Sequence, residues 1–263
     1  MSEMSALRAI MRQLRDPHSG CPWDLRQNFR TIVPHTIEEA YEVAAAIEAD
    51  DFAALPGELG DLLFQVVFYC QLAEEEARFS FEDVAAALER KLVERHPHVF
   101  GASHQSDAER VAADWETRKA AERQARATGA VSELDDVPGS LPALSRARKI
   151  QRRVARIGFD WPDFAGAWAK LGEEMAELEC AVQHGQRAQI DDEFGDVLFS
   201  IVNVARHLDV EPEGALRRAT AKFEQRFRLV ESLARNRGEA LESLSPAALD
   251  ELWIAAKAAE RGA

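Results

Sequence analysis

One arrangement of five acids occurs twice in this chain, at a constant offset of 135 residues. The first copy is Glu38-Glu39-Ala40-Tyr41-Glu42 followed by Glu58-Leu59-Gly60-Asp61. The second is Glu173-Glu174-Met175-Ala176-Glu177 followed by Glu193-Phe194-Gly195-Asp196. The apolar run behind each copy repeats as well, Leu62-Leu63-Phe64 against Val197-Leu198-Phe199. Acids three apart share one face of a helix, so each copy offers two helices that each present a pair of acids. If those helices face each other, four carboxylates converge on one point. Such a group repels itself unless a cation sits in it, and an all-oxygen ligand set suits Mg²⁺ or Mn²⁺. The repeat therefore points to two related halves, each built around a helix pair.

The bulk properties agree with that division. The 263 residues split into halves of ordinary domain size, and a hydrophobic content of 46% is ample for packed cores. A net charge of −14 argues against a general nucleic-acid binder, which needs a basic face. It leaves room for a small anionic substrate carried in by metal. Cys21, Cys70 and Cys180 have no ligand spacing, and an odd set of this kind fits a reducing, cytoplasmic compartment. Met1 to Gln13 is charged and periodic and lacks a signal-peptide core. The longest apolar stretch, Leu62 to Cys70, is broken by Gln65 and is too short to cross a bilayer, so no membrane association is expected.

Periodicity predicts helices throughout. Leu7, Ile10, Met11 and Leu14 share one side of a helix over 4–15. Asp16 to Gly20 is a break and Cys21-Pro22-Trp23-Asp24 a compact turn. Thr36, with Glu39 three residues on, reads as the N-cap of a helix to about Ala49. Further helices are expected from Pro56 to about Ala77 and over 81–95, the latter capped by Ser80 and ended by His96-Pro97-His98. His96 and His98 read as capping and packing groups rather than a metal pair. Asp107 to Thr128, rich in Ala, Arg and Glu, reads as a solvated helix, and Asp135 to Pro142 as a linker. Helices follow near 142–155, 164–183, 190–207, 212–236 and 246–260, with no alternating strand anywhere. The expectation is an all-α tandem repeat: an N-terminal helical-bundle module over 1–105, a helical or irregular linker over 106–140, and a C-terminal module over 141–263. Trp23 and Trp161 each follow a turn and read as core anchors, with base contact as the alternative.

A single acidic pair on a helix is ordinarily a solvated face. Here both helices of both copies carry one, and in the first copy they interleave with Leu62, Leu63, Val66 and Val67, a core stripe. Ancestry explains part of the repetition; the placement beside a core stripe favours metal binding. Di-iron bundles need Glu-x-x-His on two helices, and no histidine stands in register here. Zinc prefers Cys and His ligands that are also missing. Oxygen-ligated Mg²⁺ usually implies a phosphate substrate that completes the coordination sphere.

Glu-Glu-x-x-Glu followed by Glu-x-x-Asp resembles the signature of the all-α nucleoside triphosphate pyrophosphohydrolases, and the MazG family within them is the closer match. Cys21-Pro22-Trp23-Asp24, Gly57 to Val67, Arg95-His96-Pro97-His98-Val99-Phe100, Ser140-Leu141-Pro142-Ala143-Leu144, Gly158-Phe159-Asp160-Trp161 and Lys222-Phe223-Glu224-Gln225-Arg226-Phe227 look like MazG motifs in MazG order. The resemblance covers nearly the whole chain. It implies hydrolysis of nucleoside triphosphates, ribo- and deoxyribo-, to the monophosphate and pyrophosphate by cleavage between the α- and β-phosphates. It also implies a requirement for Mg²⁺, with Mn²⁺ possible, a role in nucleotide-pool housekeeping and a homodimer. By similarity Glu174, Glu177, Glu193 and Asp196 are the metal ligands, and Glu173 orients or deprotonates the attacking water. Relatives often carry a Lys where this chain has Gln189; Arg187 stands nearby as a substitute.

Both halves keep the acids, so the acids alone do not select the working half. At the common offset Asn203 faces Phe68: an amide two turns after Asp196 is able to bond sugar or base, whereas Phe68 suits core packing. Lys222 and Arg226 form an i,i+4 cationic pair suited to phosphate, although Lys91 and Arg95 offer a comparable pair in the first half. Lys170, four residues before Glu174, is placed to reach a phosphate, and its counterpart is His35. Trp253 is a candidate for stacking on a base. On this balance the C-terminal half is expected to be catalytic. Glu39, Glu42, Glu58 and Asp61 then form a second, inactive copy. Each module is too small to bury its helices well alone, which also favours a homodimer. The competing expectation is a metal-stabilised helical scaffold that binds a regulatory partner and performs no chemistry.

Overall fold

The computed structural model describes residues 3–101, 111, 117–118 and 132–262. All regular structure among them is helical. The chain separates into two compact units, Met1–Ala125 and Arg126–Ala263. The division falls inside the expected linker, most of which, with the expected helix from Asp107 to Thr128, lies outside the described residues.

The first unit comprises α1 (Glu3–Leu14), a 3₁₀ turn (Asp24–Arg26), α2 (Phe29–Glu48), α3 (Leu55–Glu75), α4 (Phe81–Arg95) and the single turn α5 (Pro97–Phe100). Met11 from α1, Ile32 from α2, and Val67, Phe68 and Leu72 from α3 make its core. Phe68 is fully buried, as expected from the sequence. Outside the core, Arg15 bonds Glu75 through Nε at 2.8 Å and Nη2 at 2.6 Å, tying the end of α1 to the end of α3. Ser80 caps α4 by accepting from the Asp83 amide at 3.2 Å, while its own amide donates to Asp83 at 2.8 Å. His96 closes the same helix, its Nδ1 lying 2.7 Å from the Leu92 carbonyl oxygen.

The start of α2 differs from the expectation. The cap is Asn28, whose Oδ1 accepts from the amides of Arg30 and Thr31 at 2.9 and 3.2 Å, and not Thr36. Pro34 lacks an amide proton and would ordinarily mark a helix start. Here the reciprocal Asn28–Thr31 cap and the burial of Ile32 carry the helix through it. Thr36 lies inside the helix, where its hydroxyl donates to the Ile32 carbonyl at 3.2 Å and pairs with the Tyr69 hydroxyl at 2.9 Å.

The second unit comprises α6 (Ala143–Arg156), α7 (Phe164–His184), α8 (Arg187–His207), α9 (Pro212–Asn236) and α10 (Pro246–Gly262). α7 and α8 form a tight hairpin because Gly185, at φ 68°, takes the left-handed conformation that ends α7. The chain re-enters helix at Arg187, three residues earlier than its periodicity suggested. Ala167, Leu171 and Val204 seal the α7–α8 hairpin. Val230, Ala234, Leu252 and Ala256 seal α9 against α10. The buried Arg153 donates to the Glu133 carbonyl at 3.0 Å, which ties the approach segment to α6. Trp23 and Trp161 are 50% and 43% exposed, so neither is the core anchor its position suggested. The Trp23 ring meets the His35 ring edge-on, with centres 5.9 Å apart, and the Trp161 ring packs against Gly166.

Candidate functional site

The α7–α8 hairpin sets its acids opposite one another. Glu174 and Glu177 lie one turn apart mid-way along α7, and Glu193 lies early on α8. One carboxylate oxygen from each of the three falls within 4.8 Å of the others. Glu174 is buried, Glu193 half-buried and Glu177 exposed, so the group opens outward from the hairpin. Lost hydration, then the neighbouring Glu174, push the Glu177 carboxyl above its ordinary range, and Lys170 opposes this. Lys170 Nζ lies 2.6 Å from Glu173 and 2.8 Å from Glu174 and is itself raised by those bonds. Glu173 is exposed and held by Lys170, one residue before the buried Glu174.

Asp196, the fourth expected ligand, is outside that group; the first unit forms a related but not identical group on α2 and α3, which includes Asp61, the counterpart of Asp196, and leaves out Glu42, the counterpart of Glu177. Glu39, Glu58 and Asp61 bring oxygens within 4.8 Å of one another. Lost hydration and then Glu42 raise the carboxyls of both Glu39 and Glu58. Each hairpin thus gathers hard oxygen donors, which could hold a metal ion.

What separates the units is the surroundings. In the second, a cavity of about 570 Å³ opens between α6, the 158–161 turn, α7 and α8. Lys170, Glu174, Asp196 and Asn203 all line it, so four expected site residues come together there. Asp160, Trp161 and Arg206 form part of the wall. Arg206 pairs with Asp160, His207 Nε2 stands 3.4 Å from the same carboxylate, and the pairing with Arg206 holds the Asp160 carboxyl below its ordinary range against the effect of burial. Arg206 also donates to Asn203 Oδ1 from Nε at 3.0 Å and Nη2 at 2.8 Å. The position of Asn203 in the first unit is filled by Phe68, inside the core.

Three expected residues lie elsewhere in the same unit. Lys222 is exposed on α9. Arg226 Nε bonds Glu260 at 2.6 Å and its guanidinium lies 5.9 Å from the Trp253 ring centre. Trp253 also packs on Phe223, with ring centres 5.3 Å apart. None of the three lines the cavity. Arg187, the substitute considered for the lysine missing at Gln189, pairs with Asp191 at 3.1 Å. Gln151 and Arg206 were missed by the sequence reading. Neither belongs to the repeat, and a Gln within an Arg-rich helix carries no signal of its own. The neighbour that fixes Gln151, the Phe199 carbonyl, becomes visible only once α6 is packed on α8.

Comparison with known proteins agrees with this architecture. The family described as MazG nucleotide pyrophosphohydrolase domain matches residues 27–100 and 166–230, once in each unit. A nucleoside triphosphate pyrophosphohydrolase of Escherichia coli (strain K12) is 47% identical over 262 residues, covering 99% of each chain. A nucleoside triphosphate pyrophosphohydrolase/pyrophosphatase MazG of Thermotoga maritima is 43% identical over 251 residues, 95% of this chain and 94% of that one. A nucleoside triphosphate pyrophosphohydrolase of Mycolicibacterium smegmatis is 34% identical over 229 residues, 79% of this chain and 65% of that one. The chain belongs to the MazG nucleotide pyrophosphohydrolase family and is an enzyme of that family, with the family domain present twice.

Proposed function

We propose that the C-terminal unit hydrolyses nucleoside triphosphates, ribo- and deoxyribo-, to the monophosphate and pyrophosphate, with cleavage between the α- and β-phosphates. The observation that carries this reading is the meeting of Glu174 with Glu177 and Glu193, where Glu174 also lines a cavity shared with Asp196 and Asn203. The donor set fits Mg²⁺, with Mn²⁺ as the alternative: all the donors are carboxylate oxygens, and those of Glu174, Glu177 and Glu193 already lie within 4.8 Å of one another. Glu174, Glu177, Glu193 and Asp196 would hold it, and when bound it would neutralise phosphate oxygens and activate water.

The chain's own groups supply the rest. Glu173, exposed beside the buried ligand Glu174, is the base that takes a proton from the attacking water. Lys170, now paired with Glu173 and Glu174, has its charge free to move to a phosphate when those acids take a cation. Lys222 and Arg226 are the further phosphate contacts and Trp253 a stacking face for the base. They complete the site in a homodimer. Phe194, Leu198 and Ile201 on α8 and Met175 on α7 are between 42% and 57% exposed, an apolar surface that a second copy would cover. The Glu39, Glu42, Glu58 and Asp61 set is the inactive copy, because the residue facing Asn203 in register is the core side chain Phe68. The proposed setting is nucleotide-pool housekeeping in the cytoplasm; no helix among the described residues is long and apolar enough to cross a membrane.

The test is pyrophosphate release from a panel of ribo- and deoxyribonucleoside triphosphates with Mg²⁺. Glu193→Ala should abolish turnover and Glu58→Ala should leave most of it. The reverse pattern would move the site to the first unit. No release from any nucleotide by the wild type would leave a metal-stabilised scaffold.

A further inference from the structure

Two side-chain amides line the cavity beside the acids, and each has its polarity fixed by a neighbour. Gln151 on α6 is 5% exposed, and its Nε2 donates to the Phe199 carbonyl at 2.8 Å. That bond leaves Oε1 as the group turned away from α8, and Oε1 is buried without a hydrogen-bond partner. A buried acceptor without a donor is costly and calls for an occupant. Asn203 is the mirror case. Its Oδ1 is taken by both Nε and Nη2 of Arg206, which leaves its NH₂ as a donor. Arg206 is in turn held by Asp160, so an amide turned over would set its NH₂ against fixed guanidinium donors.

The two amides line one cavity. Phe199, which anchors Gln151, precedes Asn203 by one turn of α8, about 5.4 Å along the axis. Asp196 lies about one further turn back, so the acids, the acceptor and the donor follow one another along a single helix. The aromatic rings of Phe159 and Trp161 line the same cavity.

We propose that Gln151 and Asn203 read the edge of the nucleobase as a fixed acceptor–donor pair. Gln151 Oε1 accepts from a base N–H, and Asn203 Nδ2 donates to the adjacent base acceptor. This assignment rests on the nucleotide reading above and adds a rule for base choice. Adenine and cytosine present an exocyclic amino group beside a ring nitrogen. Guanine and uracil present a ring N–H beside a carbonyl oxygen. Every common base therefore satisfies the pair, and the site discriminates weakly among them. A base stripped of its donor leaves Gln151 unsatisfied and is rejected, because a site that must hydrogen-bond penalises a ligand lacking the partner group.

The experiment compares ATP with purine riboside triphosphate, which lacks only the exocyclic amino group, by pyrophosphate release from the full-length protein with Mg²⁺. The wild type should favour ATP about tenfold in kcat/KM, the scale of one net hydrogen bond. Gln151→Met, of similar length and volume, should lose that preference by falling about tenfold on ATP and little on the analogue. The ratio within one enzyme cancels any loss of folded protein. Equal rates on the two nucleotides in the wild type overturn the proposal even where the variant fails to fold, and so does a preference that survives Gln151→Met. Both of those outcomes leave nucleotide hydrolysis standing. An absence of pyrophosphate from either nucleotide in the wild type overturns the nucleotide reading, and this proposal with it.

Discussion

Asp160→Asn isolates one charge in the wall of the cavity. The substitution is isosteric, and the new amide oxygen can still accept from the Trp161 amide, now bonded at 2.8 Å. What it removes is the countercharge of Arg206. The two side chains are 23% and 14% exposed, so the pair is largely shielded from water. A charge-assisted hydrogen bond in such a setting is worth about 1.5–3 kcal/mol; partial exposure places this one near the lower end, roughly 2 kcal/mol. In a unit of this size that corresponds to a fall in Tm of roughly 5 °C. The pH dependence carries its own sign. The Asp160 carboxyl is held below its ordinary range in the folded protein, so its contribution is present above the unfolded carboxyl pKa of about 3.9. It is lost as the pH falls through the folded value. His207, whose Nε2 stands 3.4 Å from the same carboxylate, is common to both proteins. Thermal melts of wild type and Asp160→Asn at pH 7 and pH 3, followed by far-ultraviolet circular dichroism, should show a gap at pH 7 that narrows at pH 3. Equal melting at pH 7, or a gap of the same size at pH 3, would refute the account of Arg206 as a residue held by Asp160. Freed from Asp160, Arg206 also fixes Asn203 less firmly, so the variant should raise KM for nucleotide more than it lowers kcat.

Added Mg²⁺ should raise the Tm of the metal-free protein, and raise it more at pH 7 than at pH 4. The raised carboxyls of Glu39, Glu58 and Glu177 mark lost hydration and then mutual repulsion, a cost that is absent below their pKa and grows as pH rises through it; a shift that is independent of pH in differential scanning fluorimetry would count against metal at these acids. Phe68→Ala, which empties a fully buried position among Met11, Ile32, Val67 and Leu72, should cost about 3–5 kcal/mol in urea melts of the first unit, and a loss below about 1 kcal/mol would show that the site collapses or is hydrated. Asn28→Ala should cost about 1 kcal/mol by removing the cap of α2, whereas Thr36→Ala should leave the helix start unchanged; the opposite ranking would restore Thr36 as the cap.

The parts of this structure that were legible in the sequence are those with a period. The ends of α4 and α9 fall at the residues expected, 81–95 and 212–236, because each has a local stop signal and a stripe that repeats every three to four residues. The acidic hairpins were legible for the same reason, since one motif occurs on two consecutive helices in each half. The start of α2 was not, because a long-range term decides it: Ile32 enters a core built from three helices, and that burial overrides the local meaning of Pro34 and Thr36. The cavity wall was hidden for a further reason. Gln151 takes its role from a carbonyl 48 residues away, and Asp160 from a guanidinium 46 residues away. Neither partner is implied by spacing.

The two halves show how far a repeated motif constrains a site. Both hairpins bring three carboxylates within 4.8 Å of one another, so the clustering of acids is a property of the hairpin itself. Seven residues after the last acid the halves diverge: Phe68 is buried in an apolar core, while Asn203 faces a cavity and is held by Arg206. A phenyl ring there offers no hydrogen bond and is stabilised by remaining packed. An amide there must find partners, and the Arg206–Asp160 pair supplies one side while leaving the other open. On the function proposed above, the distinction between a cation site and a nucleotide site is therefore expected at this second turn of the helix and not at the acids. It follows that exchanging the acids between halves should change little, whereas Asn203→Phe, with all four acids intact, should retain stabilisation by Mg²⁺ and lose nucleotide turnover. Parallel thermal-shift and pyrophosphate-release measurements on that one variant separate the two properties; loss of both together, in a protein that still melts cooperatively, would show that cation and nucleotide binding are not separable along α8.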